Sequence, residues 1–374
     1  MELKRDCALL DKVVIYDFSV VNIADAKKLQ KQGILCVKEG MPVYLTTVSG
    51  VRYSSITIEN YHEIEEFTYG VTVSGHPYGR MVLTVPNDGF HNLNCSTPEE
   101  YIDTISIVQG YLLSEYGIQT DFQNAKYKSI EINKTINIDG LFSEYQRVLT
   151  LMMYLLPAKL RLCGEADYSS KDQSARMKVT DYSRCINTYC KESGQRGISV
   201  KIYDKSRQLE EVYNIFVTEE YLRYEVTLRS PEKIKAYLGT NDIFSLGEAD
   251  IQKFFKKFIY ENVYLPYVEH KRKLRIALVK LLKKNYIKGD RKWVNRVLLQ
   301  IADAELGNRS IPLMLDIEEL LSAIDEVRFD SKQIKANAKT RFREEAAAQI
   351  PTFANGDTQK YKEVVNKLLG ETCL

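Results

Sequence analysis

The chain has 374 residues, 44% of them hydrophobic and 27% charged, and 52 Lys and Arg against 50 Asp and Glu leave a net charge of +2. That length can bury one large core or two smaller ones. The ordinary composition excludes collagen-like and low-complexity chains, and the near-zero charge excludes a uniformly basic nucleic-acid-binding surface. Seven cysteines (Cys7, Cys36, Cys95, Cys163, Cys185, Cys190 and Cys373) are odd in number and never spaced C-x-x-C. This predicts reduced thiols rather than a disulfide framework or a zinc site. No apolar run reaches the 18 or so residues of a membrane span, and MELKRDCALLDK lacks the apolar core of a signal peptide.

The first ninety residues read as strands and turns. KVVIYDFSV (12–20), VYLTTV (43–48), RYSSITI (52–58) and RMVLTVP (80–86) are rich in β-branched and aromatic residues, with Gly50, Gly70, Gly75 and Gly79 between them. Thr97-Pro98-Glu99-Glu100 predicts a capped helix start, and Gly117 its stop. KYKSIEINKTINI (126–138) alternates as a strand, and a helix follows over 141–156, stopped by Pro157. GISVKIYDK (197–205) and EYLRYEVTLRS (220–230) are two further strands, separated by a short helix over 206–216. In the first, Ser199, Lys201 and Tyr203 share the face opposite Ile198, Val200 and Ile202; in the second, Arg223, Glu225 and Thr227 oppose Leu222, Tyr224 and Val226. Ser230-Pro231-Glu232 opens a helix ended by Gly239, and from about Asp250 the pattern is mostly helical.

Three of these strands carry groups with chemistry. Glu131 and Asn133 offer hard oxygen ligands, as does Glu225, and such a set suits Mg2+ or Mn2+. Tyr203 is a candidate nucleophile, with Lys205 beside it to favour the phenolate or to neutralise phosphoryl oxygens. By pattern alone, charged residues alternating on a strand are as well read as its solvated face, with Arg223 and Glu225 in cross-strand pairs with Lys201 or Asp204. The four histidines, His62, His76, His91 and His270, are too scattered for a two-histidine metal strand; His76, in SGHPYGR, reads as a turn residue and an outside candidate near the site.

Charge is concentrated in one segment. Between Lys271 and Arg296 stand Lys271, Arg272, Lys273, Arg275, Lys280, Lys283, Lys284, Lys288, Arg291, Lys292 and Arg296, against Asp290 alone, so this stretch carries +10 and the rest of the chain −8. Leu274, Leu278, Leu281 and Leu282 give it an apolar stripe, Gly289-Asp290 breaks it, and Trp293, Val294, Val297 and Leu298 begin another. An amphipathic helix with a basic face, a membrane-surface helix and a polyanion-binding element share this composition. The excess in a near-neutral protein favours DNA.

GISVKIYDKSRQLEE followed by YLRYEVTLRS resembles the signature of the Rep_trans group of rolling-circle initiators and related relaxases, and more distantly the filamentous-phage gene II nickases. Those proteins pair an I-x-Y-[DE]-K strand with a downstream R-[YF]-E strand, here Ile202-Tyr203-Asp204-Lys205 and Arg223-Tyr224-Glu225. Where the family usually has S-R-I-D upstream, this chain has Ser129-Ile130-Glu131-Ile132-Asn133, a departure that puts Glu131 at the arginine's place if Asn133 stands for the aspartate. The likeness covers about residues 120 to 240.

The resemblance implies Tyr203 as nucleophile, Glu225 as metal ligand, and a transesterification leaving the tyrosine on a 5′ phosphate and a free 3′-OH. It implies an α+β fold, a central antiparallel sheet with helices packed on it. The expected division is a nickase domain over 1–245, with 1–90 as a candidate subdomain, and a helical, basic DNA-binding domain over 246–374. Arg223 and the eleven cations of 271–296 are the expected DNA contacts. The expected partners are origin DNA, as duplex and as nicked single strand, with a host helicase and a second copy of the chain as further candidates and no membrane. The expected setting is the cytoplasm of a bacterial host, with the gene on a plasmid or phage. A conjugative relaxase of the same chemistry and a non-catalytic DNA-binding regulator on the same fold are the alternatives. A tyrosine recombinase lacks its R…H-x-x-R…Y arrangement here.

Overall fold

The computed structural model describes residues 3, 5–36, 45–46, 52–53, 55–64, 67–74, 79–84, 93, 95–156, 187–191, 197–307, 314–349 and 356–370. Its elements in chain order are β1 (Leu9–Ile23), α1 (Ala26–Lys31), β2 (Leu35–Cys36), β3 (Leu45–Thr46), β4 (Arg52–Tyr53), β5 (Ser55–Ile64), β6 (Phe67–Ser74), β7 (Gly79–Thr84), α2 (Pro98–Tyr116), β8 (Ile118–Asp121), β9 (Lys126–Asn137), α3 (Gln146–Leu155), β10 (Asn187–Lys191), β11 (Ile198–Asp204), α4 (Lys205–Tyr213), β12 (Tyr221–Leu228) and α5 (Pro231–Leu238). Then come α6 (Glu248–Ile259), α7 (Leu265–Asn285), α8 (Trp293–Gly307), α9 (Ile317–Asp325), α10 (Lys332–Gln349) and α11 (Asp357–Leu369). This is an α+β fold: strands dominate the first half, helices the second.

The described strands form one large sheet in the order β10-β11-β12-β9-β1-β7-β6-β5-β2, with β8 also on β1, and a small β3-β4 pair. β1 runs antiparallel to β7, β8 and β9, and β5, β6 and β7 form an antiparallel meander. Of the first ninety residues, β1, β2, β5, β6 and β7 therefore lie in the same sheet as the motif strands.

Local sequence explains the frame. Thr97 accepts from the Glu100 N–H and Glu100 accepts from the Thr97 N–H, which closes the expected capping box on α2. Arg5 grips the same carboxylate with two nitrogens, at 2.8 and 2.5 Å. Gly117 ends α2 at φ +63, and its N–H reaches back to the Leu113 carbonyl. β1 is irregular by design: its register against β9 slips between Leu10 and Lys12, and against β7 between Tyr16 and Phe18. The second slip places Asp17 at φ +67, a left-handed position that aspartate tolerates, and its carboxylate takes the Lys126 ammonium at 3.0 Å.

The chain divides into two compact units, one of residues 1–135, 191–219 and 223–256, the other of 136–190, 220–222 and 257–374. This differs from a single boundary at 245/246, because the 136–156 stretch goes with the C-terminal helices. Arg147 of α3 meets the buried Asp357 of α11 at 2.7 Å, and Tyr145 donates to Glu363 at 2.6 Å. In this second unit α7, α8, α9 and α10 enclose a core of Leu278, Leu282, Val297, Leu320, Ile324 and Phe342, with Trp293 against Phe342 and Phe329. The stripes predicted around Leu278 and Trp293 are thus core-facing, though α7 ends at Asn285, before Gly289. Among the described residues no helix is long and apolar enough to cross a membrane, and Cys7, Cys36 and Cys95 form no disulfide.

Gly117 gives a direct test of this frame. An added Cβ would meet the Ala24 Cβ at 2.8 Å in a backbone conformation that already disfavours side chains. Gly117→Ala is expected to cost about 2–3 kcal/mol in urea denaturation, and Ala24→Gly in the same background to recover only the contact's share.

Candidate active site

β12 is buried along its whole length, so both of its faces are covered. The row Arg223, Glu225, Thr227 is not a solvated face: Arg223 is fully buried and Glu225 and Thr227 are each 2% exposed. Buried charge is expensive unless it is paired, and the pairs are present. Arg223 donates through Nε to Thr135 Oγ1 at 2.9 Å, through Nη1 to Asp11 Oδ2 at 3.2 Å, and through Nη2 to the Leu93 carbonyl at 3.2 Å. The expectation that Arg223 touches DNA is corrected here: it is an internal clamp with its donors turned inward.

Three neighbouring strands then bring carboxylates together. Asp11 from β1, Glu131 from β9 and Glu225 from β12 each have an oxygen within 4.8 Å of the others. Asp11 gets there through the first register slip of β1, where Leu10 faces Ile132 and Lys12 faces Glu131, leaving Asp11 as the extra residue. A bulge re-aims a side chain in this way. The Tyr101 hydroxyl holds the same turn by donating to the Asp11 carbonyl at 2.6 Å. Asp11 is the site residue that sequence reading missed; an acid in an apolar strand, in LLDKVV, was its only signal.

Asn133 does not join the trio through its bonds. It is buried and exchanges hydrogen bonds with Cys95, its Nδ2 donating to Sγ at 3.2 Å and its Oδ1 accepting from Sγ–H at 3.4 Å. The carboxylate set is Asp11, Glu131 and Glu225, so Asp11 takes the place expected of Asn133.

Lys201 of β11 reaches Glu225 at 2.6 Å. Tyr203, two residues along the same strand face, is 4% exposed. Burial pushes its phenol well up, and the negative charges of Glu225 and Asp11 push the same way, while Arg223 opposes them. Glu131 is held above the usual carboxylate range by burial and then by Glu225 and Asp11. For Lys201, burial favours the neutral amine, but Glu225 and Glu131 outweigh it and its ammonium is strengthened. Lys205 opens α4, buried, with Nζ donating to Gln208 Oε1 at 2.8 Å. Burial, with Arg223's charge added, lowers it to about 7.

The trio fits an oxygen-seeking divalent cation. With bonds of about 2.1 Å, adjacent ligand oxygens lie about 3 Å apart and opposite ones about 4 Å, a range that spacings under 4.8 Å can meet. Lys201 and Arg223 face the three acids, and Lys12 stands opposite Glu131. Burial and the neighbouring carboxylates still raise Glu131's hold on a proton.

The eleven cations of 271–296 fall into two groups. Lys271 is largely internal and bonds Glu319 and the Met314 carbonyl, both at 2.6 Å; as a DNA contact it is therefore corrected. Arg272 and Lys273 face Glu269, Arg275 faces Glu326, and Arg296 faces Asp290. Lys280, Lys283, Lys284, Lys288, Arg291 and Lys292 are exposed, and no described carboxylate pairs with them. His76 and His91 lie outside the described residues.

No family model matches this sequence, and no curated protein matches it. Among solved structures, the rolling circle replication initiator protein from Geobacillus stearothermophilus is similar with 11% identity and a TM-score of 0.30, over 69% of this chain and 85% of that one. A likeness of that size fixes no chemistry, so the site's own geometry has to carry the reading.

Two substitutions check the electrostatics. Arg223→Met strands Asp11 and is expected to destabilise by about 3–5 kcal/mol in urea. Lys205→Met is expected to stabilise most below pH 7, where folded and unfolded chains both carry the charge and the folded one bears its burial. Between pH 7 and about 10.5 the folded lysine sheds its proton first, so the gain shrinks as pH rises, at about 1.4 kcal/mol per pKa unit. Equal gains at pH 6 and pH 10 would contradict this environment for Lys205.

Proposed function

We propose that the chain is a metal-dependent DNA-nicking enzyme of the rolling-circle replication kind, a replication initiator that cuts one strand through Tyr203. One observation carries this reading: the carboxylates of Asp11, Glu131 and Glu225 meet beside the strand that presents Tyr203. It is supported by the motif residues Tyr203, Lys205 and Glu225, which sequence resemblance had singled out and which share one electrostatic environment here. A conjugative relaxase would use the same groups.

In this reading Asp11, Glu131 and Glu225 would hold Mg2+ or Mn2+, which would polarise the scissile phosphate and offset its charge. The Tyr203 hydroxyl attacks phosphorus; the Oη–P bond forms as the P–O3′ bond breaks. The phenolic proton passes to a neighbouring base, for which Lys205, its ammonium weakened by burial, is suited. The 3′ oxygen leaves as a hydroxyl, and the 5′ phosphate stays on Tyr203. The new ester keeps the energy of the broken one, so the reverse attack reseals the strand without a nucleotide cofactor. Lys201 would yield Glu225 to the cation, and Glu131 would hold the cation as its carboxylate. The six exposed cations between Lys280 and Lys292 hold duplex phosphates, an attraction that weakens with salt.

Wild type is expected to nick supercoiled DNA carrying its origin only when Mg2+ or Mn2+ is present, and to become covalently joined to it. Tyr203→Phe, which removes one oxygen, is expected to do neither. Mn2+ is expected to raise the melting temperature of wild type and of Tyr203→Phe but not of Glu225→Gln, since only binding to the folded state stabilises it. The burial of Tyr203 favours one other reading, a DNA-binding regulator on the same fold. If wild type binds origin DNA and never cuts it with either metal, that reading replaces this one.

A further inference from the structure

α10 has two unlike faces. Ala338, Phe342 and Ala346, at four-residue spacing, are buried in the four-helix core. Its flanks are tied down: Lys339 reaches Asp325 at 2.7 Å, and Arg341 reaches Glu345 at 3.0 Å, the Arg291 carbonyl at 2.8 Å and Asn295 Oδ1 at 2.5 Å. The face opposite the core carries Gln333, Ala336, Asn337, Thr340 and Glu344, all exposed. Within it Gln333 donates to Asn337 at 2.8 Å and the Thr340 hydroxyl to the Ala336 carbonyl at 3.2 Å.

We propose that α10 is a base-reading helix, laid in the major groove of duplex DNA with Gln333, Asn337 and Thr340 against base edges. This rests on the reading of the chain as a DNA-binding protein and adds where sequence is recognised. Three observations carry it. The side chains are of the right kind: Gln and Asn offer the paired donor and acceptor that match adenine, and the threonine methyl suits thymine. The size is right: Gln333 to Thr340 rises about 10 Å along the helix, about the span of three base pairs, and Ala336 between them leaves room for close approach. Charge is in the right place as well. The Arg341 bonds to Arg291 and Asn295 fix α10 against the turn that carries Lys288, Arg291 and Lys292, exposed and unpaired with any described carboxylate. A polar stripe with a cationic turn on its flank complements a groove walled by phosphates. The same features fit a protein partner poorly, because the stripe offers no apolar anchor at its centre.

The test is selection from a pool of random-sequence duplexes by the full chain, followed by binding titrations on the enriched duplex and an unrelated one. Wild type is expected to enrich a short sequence. The double variant Gln333→Ala, Asn337→Ala is expected to lose roughly 10-fold or more of its preference for that sequence, with its salt dependence unchanged. Replacing Lys288, Arg291 and Lys292 with Gln is expected to weaken both duplexes alike and to lower the salt slope by about 3. These are surface positions, and an unchanged urea midpoint confirms the fold. The inference is overturned if wild type enriches no sequence, or if the double variant keeps full preference. It is separable from the nicking chemistry: a wild type that selects sequence but cuts no DNA supports the reading helix and sinks the nickase, whereas a chain that cuts single strands and selects no duplex does the reverse.

Discussion

A guanidinium at the centre of a sheet survives only if each direction in which it donates finds an acceptor, since its desolvation costs several kcal/mol. Arg223 meets that condition by drawing on three separate parts of the chain: Thr135 on β9, Asp11 on β1 and the carbonyl of Leu93. The consequence is geometric. Once Arg223 is placed, the strands that answer it cannot slide by a residue without stranding a charge. A one-residue slip would also turn every side chain to the other face. The clamp therefore fixes the register in which Glu225 and Glu131 come to lie beside Asp11.

Asp11 has two dependencies that pull in the same direction. Its backbone is bulged out of the ladder and tied by the Tyr101 hydroxyl, while one carboxylate oxygen answers Arg223. The capping box on α2 belongs to the same construction. Thr97 and Glu100 set where the helix starts, and Tyr101 follows at once. A local signal at a helix N-terminus thus reaches the aim of a buried acid one layer away. This is why the site tolerates three carboxylates in close array: the scaffold holds them, and Lys201 and the raised Glu131 ease the repulsion among them.

Legibility in the sequence followed the range of the interactions. Thr97, Gly117, Ser230 and Gly239 mark helix ends by chemistry confined to a few residues, and each marks the end observed. The alternation in YLRYEVTL shows that Arg223 and Glu225 share a face, but alternation has the same period whether that face meets water or a protein interior. Whether it is buried depends on which elements pack over it, and that information lies a hundred residues away. Asp11 was unreadable for a sharper reason: a bulge shifts the register by one, so the period-2 rule assigns the side chain to the wrong set. Asn133 failed in the opposite sense. Its place on the strand was right, but Cys95, far off in sequence, took its amide. The basic segment misled because formal charge is local and neutralisation is not. Glu319 and Glu326 cancel Lys271 and Arg275 across gaps of 48 and 51 residues.

The buried Tyr203 and the exposed cations set up opposite demands that one molecule has to satisfy. A phenol buried among Glu225, Asp11 and Arg223 resists ionisation; if Tyr203 is the nucleophile we propose, that resistance would keep it protonated while no substrate is present. In the proposed reading, divalent charge at the three carboxylates would reverse the balance: it would remove the repulsion that Glu225 and Asp11 exert on a phenolate and free Lys201 from its partner. It would also lower the cost of admitting an anionic phosphate. Nucleophile activation and substrate admission would then be two readouts of one change in local charge, and a chain with net +2 would need no general positive field to achieve it. Phosphates would be drawn to the exposed cations, and the cut would be made where the carboxylates are neutralised.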